Sequence, residues 1–228
     1  MTQIGVATGC FYQTEMAFTE QLQLLKEIGA DGIEVTFGNA DEVHAFEAER
    51  WKQKIRSFNF RTVHAPIRSD FQRDQESKSL LRDIETIREQ IDAQSVVFHP
   101  DRVDDATLLG EITQPAIENM QERKEFNRDD FSSIMEAVDA PVVIDICHAA
   151  TWENQENRYM FENFGDRTSH VHVSALGENT HEPLHKQPSF LTDELVSFLE
   201  GHNLIIELRD ASRNEIQKEI TFLRDRLT

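Results

Sequence analysis

Eight short, β-branched runs recur along this chain, each followed by a longer polar stretch. They are Ile4–Thr8, Gly32–Phe37, Arg61–Ala65, Ser95–His99, Gln114–Glu118, Val142–Cys147, Ser169–Val173 and Leu204–Leu208. Short apolar runs of this composition favour strands over helices. The stretches between them carry apolar residues at helical spacing. Leu22, Leu25 and Ile28 form one face, with Gly29 placed where a helix would end. Val43, Phe46, Ile55 and Phe58 share a stripe, and Leu80, Leu81, Ile84, Ile87 and Ile91 follow at spacings of three and four. Later helices are expected over Phe131–Val138, Tyr159–Phe164, Leu191–Leu199 and Ile216–Leu227.

Strands alternating with helices must be parallel and joined by right-handed crossovers. Eight such units close into a single (β/α)8 TIM barrel, expected to be one domain over residues 1–228. Between His99 and Gln114 only Asp104–Glu111 can be helical, so the fourth helix is expected to be shortened. A doubly wound open sheet is the competing fold. No glycine-rich phosphate loop follows the first strand, which counts against its dinucleotide-binding form.

The 228 residues carry 42 Asp and Glu against 23 Lys and Arg, a formal net charge of −19. That field repels nucleic-acid phosphates and anionic lipid unless a local patch or a metal ion reverses it. Of the basic residues 16 are Arg and 7 are Lys, a balance compatible with adaptation to high salt. No run approaches the length of a membrane span, and the first residues lack the pattern of a signal peptide. The expectation is a cytoplasmic protein. Cys10 and Cys147 lack redox or zinc spacing and are expected to be reduced, with Cys147 packed in a strand.

The polar residues are placed less evenly. His44 and His202 fall on or beside helices, whereas His64, His99, His148, His170, His172, His181 and His185 sit at or after strand C-termini. Glu34, Glu118, Asp145 and Glu207 join them there. In a (β/α)8 barrel these ends converge on one rim. Carboxylates crowded together without a cation would repel one another, and a divalent metal resolves the conflict. Asp145 and His148, three residues apart, can act together at one strand end. Glu118, Asp145, His172 and Glu207 make an oxygen-rich set with one nitrogen, suited to Mn²⁺, Mg²⁺, Zn²⁺ or Co²⁺.

On Val63-His64-Ala65-Pro66, Phe98-His99-Pro100, Ile117-Glu118-Asn119, Ile144-Asp145-Ile-Cys-His148-Ala149, His172 and Ile206-Glu207, the chain resembles the xylose-isomerase-like TIM-barrel superfamily. That group includes sugar and sugar phosphate isomerases and epimerases, and endonuclease IV. The resemblance implies Glu118, Asp145, His172 and Glu207 as shared metal ligands. It implies His64 and His99 as ligands of a further metal or as substrate contacts, and His148 and His181 as members of a third metal site. The chain departs at Asn179-Thr180-His181, where the endonuclease pattern is Asp-x-His, at Ser174-Ala175 in place of Asn-Asp, and at His185-Lys186-Gln187 in place of a glycine turn.

Two functions follow. The favoured one is a metal-dependent isomerase or epimerase of a small sugar, sugar phosphate or hydroxy-ketone. It would hold one cation per chain and move a proton through a metal-bound enediolate. Glu118 and Glu207 would act as base and acid, and His148 would steady the oxyanion. Arg209, on the same strand face as Glu207 if the strand continues, would bind a hydroxyl or phosphate, and Trp152 would wall the pocket, although rim packing also explains it. Phe11 and Tyr12 would line the mouth. The alternative is a phosphoesterase with two or three metal ions, an abasic-site DNA endonuclease among them. Against it stand the missing acid at Asn179, the net charge and the lack of a basic stripe; Arg68 and Arg73 are the only nearby basic pair. A catalytically idle binding barrel is a third reading. The expected partner is a small-molecule sugar or sugar phosphate, with no nucleic acid and no membrane, and barrels of this sort often form homo-oligomers.

Overall fold

The computed structural model describes residues 2–123, 126–152 and 157–227. Eight parallel strands close into a barrel in sequence order. They are β1 (Ile4–Ala7), β2 (Gly32–Thr36), β3 (Phe60–His64), β4 (Val96–Phe98), β5 (Pro115–Glu118), β6 (Val142–Asp145), β7 (Thr168–Val173) and β8 (Leu204–Ile206). The ring shuts where β8 pairs with β1, Gly5 opposite Ile205. The strands are almost wholly buried, as a parallel barrel wrapped by helices requires.

The outer helices are α1 (Phe18–Glu27), α2 (Ala40–Ala45), α3 (Ala48–Ile55), α4 (Gln75–Ile91), α5 (Arg128–Ala137), α6 (Ile146–Ala149), α7 (Asn157–Phe164), α8 (Asp193–Leu199) and α9 (Arg213–Arg226). The stripe from Val43 to Phe58 is split between α2 and α3, because Phe46 and Glu47 leave helical geometry between them. In α4 the predicted stripe of Leu80, Leu81, Ile84, Ile87 and Ile91 is buried. The β4–β5 connection contains only two 3-10 segments, Pro100–Arg102 and Ala106–Glu111, so the shortened fourth helix is present. The sixth strand ends at Asp145, two residues short of the expected Cys147, because Asp145 caps the single turn α6.

Alternation along the strands sorts the barrel interior into layers. At the base, Gly5 pairs with Gly32, which pairs with Phe60. A Cβ on Gly32 would lie 2.1 Å from the Phe60 ring, so these glycines make room for a phenyl plug. Glu34 pairs with Thr62, Val97 with Ala116, and Val143 with His170, forming the next layer. Two residues further on along their strands come His64, His99, Glu118, Asp145, His172 and Glu207, at the C-terminal mouth. No helix among the described residues is long and apolar enough to cross a membrane.

Replacing Gly32 with Ala drives a methyl into the Phe60 ring and is expected to cost about 1–3 kcal/mol in urea denaturation, as overpacking does. The double variant with Phe60→Leu should recover much of that loss. Unchanged stability in the single variant would contradict the plug.

Candidate metal centre

Glu118, the last residue of β5, has no solvent exposure and faces four imidazoles. Its Oε2 is 3.1 Å from His64 Nε2 and 3.4 Å from His99 Nε2. Its Oε1 is 3.2 Å from His148 Nδ1 and 3.5 Å from His172 Nδ1. Glu207 follows β8 directly, its N–H donating to Val173 O, and its Oε2 lies 2.9 Å from His172 Nδ1. Glu118, Asp145, His172 and Glu207 therefore present one donor atom each within 4.8 Å of one another. His64, His99 and Glu118 form a second such group, and Asp145, His148 and His181 a third. Glu118 is common to the first two groups, and Asp145 to the first and third.

Local backbone fixes what each side chain offers. His64 Nδ1 is 2.8 Å from Ala65 O, so it carries the proton and donates, leaving Nε2 for Glu118 or a cation. His148 Nδ1 donates in the same way to Asn119 O at 3.0 Å, and its Nε2 faces His181 Nε2 at 3.1 Å. Two neutral imidazole lone pairs at that distance repel unless a proton or metal lies between them. Asp145 Oδ1 accepts the His148 N–H at 2.6 Å as the cap of α6. Its Oδ2, with Glu118 Oε1, Glu207 Oε2 and His172 Nδ1, is buried without a hydrogen bond of good geometry. Buried polar atoms are seldom left so. Four of them converging, three oxygens and one nitrogen, fit a first-row divalent cation.

The supporting residues were less visible in the sequence. Asn119 accepts from Asp145 N at 2.7 Å and donates to Asp145 O at 3.0 Å, tying β5 to β6. Both cysteines act as struts. Cys10 donates its thiol to Ile206 O and accepts from Leu208 N, bracketing Glu207. Cys147, in α6, donates to Ala175 O and accepts from His181 N. Burial pushes both thiols up to about 12, so neither is a reactive thiolate. His181 sits at φ 60°, a left-handed conformation costing on the order of 1–3 kcal/mol that such a site holds in place. Asn and Asp are the usual tolerant residues there, and nothing in the spacing announced a His.

Other expected residues lie elsewhere. Trp152 is 4% exposed, donates its indole N–H to Met120 O at 2.8 Å and packs against Phe131, so it offers no face to the mouth. β8 stops at Ile206, so Arg209 does not continue the Glu207 face; it is exposed, with its backbone N–H donating to His181 O. His185 binds the buried Glu219 of α9 at 2.7 Å, away from the three groups. His170 lies one layer below the mouth, beside Glu34. Phe11 is buried, whereas Tyr12 is 42% exposed.

This is the fold of xylose-isomerase-like barrel proteins. The chain superposes on a D-tagatose 3-epimerase-like protein with a TM-score of 0.75, at 17% identity over 99% of this chain and 97% of the other. It superposes on endonuclease IV from Thermus thermophilus with a TM-score of 0.69, at 13% identity over 99% and 98%. D-psicose 3-epimerase from Clostridium cellulolyticum gives 0.69, at 12% identity over 99% of each chain. No protein-family model and no curated protein sequence matches the chain.

Burial works to lower the basicity of His64 and His148. The hydrogen bond from His64 to Glu118 and the charge of Asp145 beside His148 outweigh it, and both rise from 6.5 to about 9. A folded value above the unfolded one stabilises the metal-free protein fully below about pH 6.5, and that contribution fades as pH climbs through about 9. A cation must displace the same protons. Metal-free protein should therefore lose thermal stability across this window, and divalent cations should bind more tightly as pH rises. Calorimetry in buffers of different ionisation enthalpy should detect proton release near neutral pH; binding without proton release would contradict these assignments.

Proposed function

We propose that the chain is a metal-dependent enzyme that hydrolyses a small phosphate ester at a centre that would hold at least two divalent cations, with Glu118 among the residues holding each. The observation that carries this reading is the direction of His64 and His99. In a one-metal isomerase these imidazoles would reach toward substrate. Here both Nε2 atoms converge on Glu118 Oε2, the outer oxygen of a carboxylate whose other oxygen joins the four-donor group. A carboxylate shared between two donor groups is what a two-metal hydrolase would use to hold both cations.

Cations held there would acidify a water and neutralise phosphoryl oxygens. The chain's own residues do the arranging. Glu118 offers a carboxylate oxygen to each donor group, His64 is locked as an Nε2 donor by Ala65 O, and Asp145 Oδ2 is aimed inward by its cap on α6. Glu207, held by Cys10 and Val173, closes the central group from β8. His148 and His181 offer a third position lacking the acid that Asn179 replaces, so it has two nitrogens and only the shared Asp145.

A small substrate is favoured over duplex DNA. The net charge is −19, and three of the arginines near the rim are tied to acids. Arg102 pairs with Asp70 at 2.9 Å, Arg123 with Asp101 at 3.0 Å, and Arg73 with Asp105. A backbone-gripping protein would present such side chains to phosphates. The second reading, a sugar or hydroxy-ketone epimerase, is supported by the central group alone, since Glu118 and Glu207 flank it as a base and an acid would.

Elemental analysis of protein purified without chelator is expected to find about two or three divalent ions per chain. His99→Ala should remove about one of them and abolish release of phosphate from aryl phosphate esters. One ion per chain, unaffected by His99→Ala, with proton exchange into ketoses and no ester hydrolysis, would overturn this reading in favour of the epimerase.

A further inference from the structure

Below the mouth, the barrel carries a buried charged layer on one side only. Interiors of such barrels are usually filled by branched apolar side chains, and Val97, Ala116 and Val143 fill the far side here. On the near side stand Glu34 of β2, Thr62 of β3 and His170 of β7, all 2% exposed or less. A carboxylate taken out of water costs several kcal/mol unless its partners compensate, so Glu34 calls for a role beyond filling space.

Its contacts define that role. Glu34 Oε2 accepts from Thr62 Oγ1 at 2.9 Å and lies 3.4 Å from His170 Nε2. His172 Nε2 is 3.3 Å from both Glu34 oxygens. An ionised carboxylate only accepts, so His172 must donate from Nε2. The opposite nitrogen, Nδ1, is the one turned to the central group, 2.9 Å from Glu207 Oε2 and 3.5 Å from Glu118 Oε1. Glu34 thus holds the proton-bearing side of the ring that the centre needs as a lone-pair donor.

We propose that Glu34, itself held by Thr62 and flanked by His170, is a positioning residue that would fix His172 as an Nδ1 donor to the central cation. A carboxylate behind a ligating histidine fixes its tautomer, orients its ring and raises its basicity. Glu34 touches neither the mouth nor the other ligands in hydrogen-bonding geometry; its line to the centre runs through His172. The inference rests on the central four-donor group holding a cation, whichever reaction that cation serves.

The test compares wild type, Glu34→Gln and Thr62→Val, each stripped of metal and titrated with Zn²⁺ against a chelating dye. Imidazole ¹⁵N resonances of the Zn²⁺-loaded proteins are recorded alongside. Glu34→Gln is expected to weaken the central site about 10–100-fold and to shift the His172 nitrogens; the metal-free protein should also melt lower, because the buried His172 loses its anionic partner. Thr62→Val, which leaves His172 untouched but frees Glu34, should show the same change at smaller amplitude. Central affinity within about twofold of wild type in both variants, or a fall in melting temperature with affinity and His172 resonances unchanged, would overturn the proposal. Loss of one whole ion with the central affinity intact would do so too, making Glu34 a ligand of a separate cation. Wild type that binds no Zn²⁺ would instead remove the metal-centre reading itself, and this proposal with it.

Discussion

A single buried carboxylate, Glu118, sets the terms for the rest of the molecule. With no exposure and with imidazoles from β3, α6 and β7 and from the turn after β4 around it, its charge has to be matched from within the protein. Burial alone would push its carboxyl up. The charge of His172 and hydrogen bonds from His148, His172 and His64 hold it well below the ordinary range. In the metal-free state protons on histidines supply the countercharge, and a bound cation would have to take their place. The centre is therefore poised between two sets of positive charge, and pH arbitrates between them.

Holding so many ionisable groups together demands a frame that does not relax. The frame here is backbone. Carbonyls of Ala65 and Asn119 fix two histidine tautomers, and Val173 and Leu208 bracket Glu207 with help from Cys10. The turn α6 spends one oxygen of Asp145 as a helix cap and so aims the other inward. The strained backbone at His181 is held by Cys147 Sγ on its N–H and by Arg209 N–H on its carbonyl. Rigid elements of this kind keep donor atoms in place far better than loops do.

The surface field acts in the opposite direction to the centre. Acidic residues dominate overall, and Arg102 and Arg123 near the rim are paired with neighbouring aspartates.

The barrel and most of its donor set were legible in the sequence, because strand period, helix period and crossover handedness leave few ways to arrange eight such units. Once the strands are parallel, residues at their C-terminal ends must meet, so Glu118, Asp145, His172 and Glu207 could be grouped without coordinates. Other features were decided only by the tertiary structure. Trp152 and His185 have residue types suited to a site, yet register and helix placement turn them into the core and toward Glu219. Glu34 and His170 read as rim residues from composition, but the strand pairing sets them one layer down, behind His172. The direction of His64, on which the choice of chemistry turns, depends on which nitrogen the Ala65 carbonyl claims and where the other then points. A chain's alphabet specifies which groups reach the mouth; the orientation of each ring is fixed by contacts between strands distant in sequence, and those exist only once the barrel has closed.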